Sequence, residues 1–547
     1  MRRGPSVARG GTRDPVTPTG RLARVAVVIG LLTVAARAAG FGRTLVFGRV
    51  VGRTCLGSVY AAANGVPNIL FEVAAGGALS AIAVPMLARR FAAADLDGAG
   101  RTASALLTWT VLVLTPLTVL TALLARPIVS GLLGPATGCD RAASVAAGGR
   151  MLVVFAIQIV LYGVGIVVGG VLQAAGRFIG PAVAPLLSSL VVVAAYLTFG
   201  AGGPRVVDAD LRGLGGWREA VLAGGTTLGV AVLSLGLLLP LRRVGLPLRP
   251  TFRFAAGEGR TVAAIAVAGL ASVGAQQLAT AVVIRLSNQV QVDSYVIYLL
   301  GATVFLLPWA ILAVPLATGL FPRLAATDDP ALSGAAAAPS LRLVALLMCA
   351  GTAALIATAR PVAAVLLLGA PGQGARAPEA LAFAIVAFAP GLLGYGIWAV
   401  AARALFARRA AGTAAAVTVA GWLLVVVSDL LLVRGATGET VAARLAWGQS
   451  LGLTVAGIGT FVAVRRATGK AVYEGFARAL GAGLLAGFFA GLAGRVVAAG
   501  VGATSLPTSL ASSCFAGVVV AAVFVAVLAF VDRRDLRSVV SAVRRHG

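Results

Sequence analysis

Runs of about twenty consecutive apolar residues recur along almost the whole chain, and no other feature constrains its fold as strongly. Wound as a helix at about 1.5 Å per residue, such a run crosses the roughly 30 Å of hydrocarbon in a bilayer. Unpaired backbone groups are too costly in hydrocarbon, so only helices and closed barrels can span it. A barrel needs alternating strands of about ten residues, and none is present in the sequence. Hydrophobic residues make up 59% of the 547 and charged residues only 12%, too little polar surface for a soluble protein of this size. The expected fold class is therefore an all-α polytopic membrane protein. Fourteen spans are read near 22–46, 56–88, 103–125, 148–173, 180–201, 219–240, 260–286, 294–321, 341–369, 379–406, 411–433, 441–464, 476–500 and 507–531.

The charge pattern orients these spans. Lys and Arg number 45 against 18 Asp and Glu, a formal net charge of +27. With the N-terminus placed in the cytoplasm, the basic residues concentrate in the N-terminal tail and in 89–101, 242–260, 465–478 and the C-terminal tail. That is the positive-inside pattern, and it predicts that both termini are cytoplasmic. Arg360-Pro361 interrupts the ninth run, but splitting that run in two would send the arginine-rich C-terminal tail outside. No basic stripe interleaved with aromatics exists, which argues against nucleic acid as a partner.

The expected organisation is a disordered cytoplasmic tail (1–20), an N-terminal lobe of six helices (21–240), a basic cytoplasmic connector (241–259), a C-terminal lobe of helices seven to twelve (260–475), two extra helices (476–531) and a basic cytoplasmic tail (532–547). No strong internal repeat is evident. The cysteines, Cys55, Cys139, Cys349 and Cys514, are far apart and form no CxxC pair, so neither a disulfide framework nor a zinc site is expected. The single histidine, His546, is next to last. With no plausible histidine, cysteine or paired-carboxylate centre, an enzyme is not expected. No metal or other cofactor is expected, apart from coupling to a monovalent cation or to the membrane potential.

Charges and helix breakers inside the spans carry the functional reading. An ionised group at mid-bilayer costs roughly 2.5–3.5 kcal/mol on insertion scales, so it usually faces a cavity or a partner. Arg37 and Arg43 lie in the first span, six residues and thus about 240° apart on an ideal helix; Gly40 and Gly42 between them offer a bend that would turn both toward one cavity. Alternatively Arg43 snorkels to the interface with Arg49 and Arg53. Glu72 lies in the second span, one turn after Asn68, and is read either as a cavity residue or as an ion-pair partner of Arg37 or Arg43. Pro67, Gly76, Gly77 and Pro85 break the same span, and Pro308, Pro315 and Pro322 break the eighth. Such breaks are tolerated at membrane depth where backbone lines a wet cavity. Asp429 stands five residues before Arg434, which favours a structural pair; binding of a coupling ion is the alternative. Gln158, Gln276 and Gln277 are further polar residues at depth.

Four stretches resemble one family. "ARAAGFGRTLVFGRVVG" carries Arg37, Gly40, Phe41 and Arg43; "VPNILFEVAAGGALSAIAVPML" carries Pro67, Asn68, Gly77, Ala78, Ser80, Val84 and Pro85; "LQAAGRFIGPAVAPLL" and "LLPWAILAVPLATGLFPRL" follow in order, over about 37–325. Together they resemble the MurJ/MviN family of lipid II flippases, within the multidrug/oligosaccharidyl-lipid/polysaccharide exporter superfamily. The resemblance implies two lobes around a V-shaped cavity lined by the first, second, seventh and eighth helices. It implies an undecaprenyl-pyrophosphate-linked glycopeptide as cargo, flipped by alternating access to the outer leaflet of the bacterial cytoplasmic membrane for peptidoglycan synthesis. Arg37 and Arg43, with Asn68 and Glu72 nearby, would bind the head group, since guanidinium groups pair with phosphate oxygens as bidentate donors. The extra helices would form a groove for the lipid tail, and cell-wall synthesis proteins are possible partners. Thr303 stands where the family usually has an arginine, and Phe71, Glu72, Gly76 and Ser58 replace other charged or signature positions. From these departures follow an exporter of other lipid-linked sugars and a non-transporting scaffold for wall synthesis; a cation-coupled exporter of small amphipathic compounds is a separate alternative, which would call for an acidic, aromatic-rich cavity.

Overall fold

The computed structural model describes residues 18–52, 54–73, 87–134 apart from 89, 139–202, 211, 216–252, 258–291, 294–316 apart from 315, 329–367, 376–408 and 410–532. The expected tails at 1–20 and 532–547 lie outside these residues, save for their innermost positions. Every regular element among the described residues is helical. In chain order they are α1 (Pro18–Val50), α2 (Cys55–Phe71), α3 (Leu96–Leu123), α4 (Ala125–Leu133), α5 (Arg141–Ala156), α6 (Gln158–Ala174), α7 (Ile179–Ala201), α8 (Gly216–Leu235), α9 (Leu238–Arg242), α10 (Glu258–Val290), α11 (Ser294–Pro308), α12 (Pro330–Leu367), α13 (Ala377–Phe388), α14 (Gly391–Ala407), α15 (Ala411–Leu432), α16 (Val441–Thr468), α17 (Phe476–Val501) and α18 (Leu506–Val531). Ten of these helices or helix runs are long and apolar enough to cross a membrane, and the pair α13–α14, bent by 42°, makes eleven.

Polar side chains set where the helices begin. Thr54 accepts from the Gly57 N–H at 3.0 Å to start α2, and Asp95 and Asp140 cap α3 and α5 in the same way. Ser505 and Thr508 form a reciprocal capping box at α18. Each satisfies an N-terminal donor that no preceding turn can reach.

The helices pack as two bundles built on one scheme. In the first, α1 lies against α7, α7 against α8, α2 against α5, and α3–α4 against α5–α6. In the second, α10 lies against α15, α15 against α16, α11 against α13, and α12 against α13–α14. The breaks repeat as well: α5 gives way to α6 at Ile157, and α13 to α14 at Ala389-Pro390. This correspondence exposes a short repeat that the sequence reading missed. "ARPIVSGLL" (125–133) forms α4, and "ARPVAAVLL" (359–367) makes the last turns of α12. α17 and α18 pack on α12, where Gly483, Gly487 and Gly491 bring α17 close to Cys349 and Ala353. Such close approach favours association in lipid, where apolar burial gives no drive.

One cysteine expectation is corrected. Cys55 and Cys139 form a disulfide, with Cα atoms 6.0 Å apart and a separation of 84 positions in sequence. Cys55 opens α2 and Cys139 precedes the cap of α5, so the α2–α5 packing brings together two residues that sequence spacing could not connect. Cys349 and Cys514 are free.

The basic connector is strapped to the first bundle. The Arg249 N–H donates to Ser104 Oγ at 3.0 Å, the Thr251 N–H to Thr108 Oγ1 at 3.2 Å, and Trp109 Nε1 to the Phe252 carbonyl at 3.1 Å. Two residues of extended chain span about the length of one helical turn. Hydroxyls spaced four apart on α3 therefore meet alternate N–H groups of the strap.

Candidate functional site

Between the bundles lies a cavity of about 200 Å³. α1 contributes Arg43, Thr44 and Phe47; α2 contributes Tyr60, Asn64 and Asn68; α7 and α8 add Tyr196 and Thr226; α11 adds Tyr295, Leu299 and Thr303. Among the described residues the seventh helix of the sequence reading, α10, adds no side chain to this lining, whereas α7 and α8 do. Arg43 is the one charged residue among the described lining residues, and it is exposed.

The floor of the cavity is a hydroxyl cluster. Tyr60 Oη lies 2.8 Å from Tyr196 Oη and 2.8 Å from Thr226 Oγ1, and Thr226 also donates to the Leu222 carbonyl at 2.8 Å. Phe47 packs on both tyrosine rings, with centroids 5.5 and 5.6 Å away, and Phe155 meets Tyr60 edge-on at 5.6 Å. Burying three hydroxyls is tolerable because each has a partner. The members of this cluster are 136 and 166 residues apart in sequence, so no local pattern announced them. Asn68 donates to the Asn64 carbonyl at 2.9 Å, while Asn64 Oδ1 is buried with no hydrogen-bond partner. The Thr303 hydroxyl donates back to Leu299 at 2.8 Å. The position where an arginine was expected from the family pattern is thus a neutral wall of the cavity.

The remaining candidate residues fall in several places. Arg37 is exposed on α1 and outside the lining of this cavity, about 9 Å nearer the start of the helix by its rise. α1 runs unbroken through Gly40 and Gly42, so no bend turns Arg37 toward Arg43. Glu72 is exposed just past α2, where its N–H continues the helical bonding to Asn68 and Ile69. The ion pair of Glu72 with Arg37 or Arg43 is not formed among the described residues. Pro67 is buried inside α2 without ending it. Pro308 closes α11 and is followed at once by a π turn, Trp309–Ala313, the local rearrangement expected where proline removes a helical N–H. Gly76, Gly77, Pro85, Pro315 and Pro322 lie outside the described residues.

Asp429 departs from its expected pairing. It is fully buried in α15, and neither carboxylate oxygen has a hydrogen-bond partner. Arg434 is exposed beyond the end of α15. Residues five apart lie about 140° from each other around a helix, which aims them at different neighbours. The carbonyls near that end, those of Leu432 and Arg434, are instead capped by Arg444 at 3.0 and 2.8 Å. Gly448 of α16 makes room for the carboxylate, since a Cβ there would lie 1.9 Å from Asp429 Oδ1. Next to Gly448, Gln449 accepts a hydrogen bond from Tyr298 of α11.

Two repeated bundles with a polar cavity between them, and a π turn directly after α11, one of the helices that line it, are the architecture of a membrane transporter rather than of an inert helix assembly. The same fold occurs in solved structures. An inward closed conformation of the lipid II flippase MurJ matches with a TM-score of 0.71 at 14% identity, covering 92% of this chain and 99% of that one. An inward-facing multidrug resistance MATE transporter of the MOP superfamily matches at 0.61 and 17%, covering 80% and 93%. A MOP superfamily transporter from Pyrococcus furiosus matches at 0.56 and 17%, covering 80% and 94%. At these identities the likeness is one of fold. The family model for the lipid II flippase MurJ matches residues 47–519, and the chain belongs to that family. It is accordingly a multi-pass membrane transporter and not an enzyme.

Proposed function

We propose that this protein flips lipid II, or a closely similar polyprenyl-pyrophosphate-linked glycopeptide, from the inner to the outer leaflet of the bacterial cytoplasmic membrane, in support of peptidoglycan synthesis. The observation that carries the reading is Arg43 standing as the cation among the described lining residues of a polar cavity between the bundles of a MurJ-family chain. A guanidinium suits a phosphate of the head group. The neutral hydroxyl, amide and aromatic groups around it suit a glycan, whose recognition rests on hydrogen bonds and ring faces rather than charge.

In this reading α1, α2 and α10 join the eleven apolar spans, giving fourteen with both termini in the cytoplasm. The Cys55–Cys139 bond then falls on the outer side, where disulfides persist. By helical rise, Arg37 and Asn68 stand at a similar depth, about 20 Å from the disulfide end of the bundle, so Arg37 meets the head group on its way to Arg43. Unpaired Glu72 competes with phosphate for these arginines and favours release. Rocking of the bundles is absorbed at Pro67 and Pro308, with Gly76, Gly77, Pro85 and Pro315 as further hinge positions. Asp429, buried without a partner, is the candidate to take up a proton or a monovalent cation in coupling, its unsatisfied oxygens being suited to either. The face of α17–α18 that exposes Phe488, Leu492 and Phe515 is the candidate groove for the lipid tail.

The test is translocation of fluorescent lipid II in proteoliposomes, together with rescue of a flippase-depleted strain. Flipping above the protein-free rate and restored growth are expected. Correctly folded protein that neither flips lipid II nor rescues growth would overturn the proposal in favour of a scaffold.

A further inference from the structure

Two arginines cross between the bundles, and each ends on a main-chain carbonyl. Arg49, at the end of α1, donates through Nη2 to the Val365 carbonyl at 2.7 Å. Arg285, in α10, donates through Nη1 to the Gly131 carbonyl. Val365 is in the last turn of α12 and Gly131 in the last turn of α4. The final carbonyls of a helix have no intrahelical donor and sit at the negative end of its dipole, so both are natural acceptors for a cation.

The exchange follows the repeat. Gly131 and Val365 hold the same place in "ARPIVSG" and "ARPVAAV", and Arg49 and Arg285 stand at the same distance before Ser58 and Ser294. The first bundle therefore caps a helix of the second, and the second caps the equivalent helix of the first. Both bonds lie at the disulfide end of the molecule. Both join the bundles in a region where α1 meets α11 and α12, and α10 meets α4. The acceptor in the first bundle is braced, because Cys55–Cys139 ties α2 to the segment between α4 and α5. Arg285 is exposed and Arg49 half-buried, so water can take over both guanidinium groups once the bundles part, which makes the contact reversible.

We propose that Arg49 and Arg285 form a two-point latch that holds the disulfide ends of the bundles together, and that opening the cavity on that side requires both bonds to break. The latch acts on the equilibrium between closed and open states of that end and does not touch the cargo.

The test is a pulsed EPR distance measurement in nanodiscs. Spin labels are placed at Ala142→Cys on α5 and Glu439→Cys before α16, both exposed, in a Cys349→Ala, Cys514→Ser background that keeps the disulfide. The parent is expected to give mainly the shorter distance. Arg49→Ala and Arg285→Ala should each raise the ratio of long to short distances by about tenfold, and together by more, as expected when charged hydrogen bonds that favour one state are lost. Arg49→Lys and Arg285→Lys should fall between, because an ammonium can still reach one carbonyl. Should the double alanine variant not fold, the lysine and single alanine variants decide. An unchanged distribution overturns the latch, and a lower melting temperature with an unchanged distribution does the same, because both arginines are then merely structural. No cargo is added, so failure here leaves the flippase assignment standing.

Discussion

The first bundle and the second share a helix scheme but spend their polar residues differently. In the first, α2 carries Tyr60 into a hydroxyl cluster with Tyr196 and Thr226, and α1 holds Arg43 over it. In the second, α11 offers Tyr295 and Thr303 to the cavity, while the buried acidic residue sits elsewhere, at Asp429 of α15 against Gly448 of α16. Above α11 an aromatic stack of Trp309, Tyr395 and Trp398, with centroids 4.6 and 5.3 Å apart, replaces the hydroxyls. The first bundle is also stapled by a disulfide and holds the connector on α3; the second has neither among its described residues. In the proposed function the braced first bundle makes the charged contact with the cargo, and the second holds the coupling residue Asp429.

The largest test of this contrast removes the staple. Cys55→Ser with Cys139→Ser should lower stability by about 4.6 kcal/mol on the loop-entropy account for a bridge between residues 84 positions apart. Thermal melts and hydrogen exchange should place the loss in the first bundle; a loss centred on α10–α16 would break the comparison. Next, Asp429→Asn keeps the shape and removes the titratable group. It should slow transport by about a hundredfold, or about 2.7 kcal/mol of barrier, and abolish its dependence on the coupling ion, while the melting temperature stays close to the parent's because the amide fills the same space. A normal rate with unchanged ion dependence would take the coupling role away from the second bundle.

A smaller effect belongs to the strap. Ser104→Ala and Thr108→Ala each remove one hydrogen bond and should cost about 1 kcal/mol, read as added exchange at Arg249 and Thr251; unaltered protection would show that Trp109 alone holds the connector. The smallest is at Asp95, which caps α3. The Gly98 N–H, then Arg90, holds its carboxyl below the ordinary range. A carboxylate whose pKa is lowered by folding contributes above its unfolded pKa of about 4, and that contribution fades as pH falls through the folded value. Asp95→Ala should therefore lower the melting temperature slightly at pH 7 and not at all near pH 2.

Much of this molecule is legible in its sequence. The apolar runs announce the helices, because crossing hydrocarbon leaves a chain few alternatives. Arg43, Asn68, Pro67 and Pro308 stand out because charges and breakers are costly in lipid. What stayed hidden is long-range pairing: the hydroxyls of Tyr60, Tyr196 and Thr226, the cysteines at 55 and 139, and the arginines that reach across to Gly131 and Val365. Asp429 misled for a geometric reason, since nearness in sequence to Arg434 is not nearness on a helix. The ARP repeat was overlooked because it is short and gains meaning only when α4 and α12 are seen in equivalent places.

The central claim is that Arg43 holds the phosphate of a lipid-linked head group in the cavity between the bundles. Affinity for lipid II in nanodiscs, measured for the parent and for Arg43→Ala, tests it most directly. The account predicts binding weakened at least about thirtyfold, the loss of a charge-assisted bidentate contact worth roughly 2 kcal/mol or more, with the fold intact. Equal affinity in a correctly folded Arg43→Ala protein would contradict it.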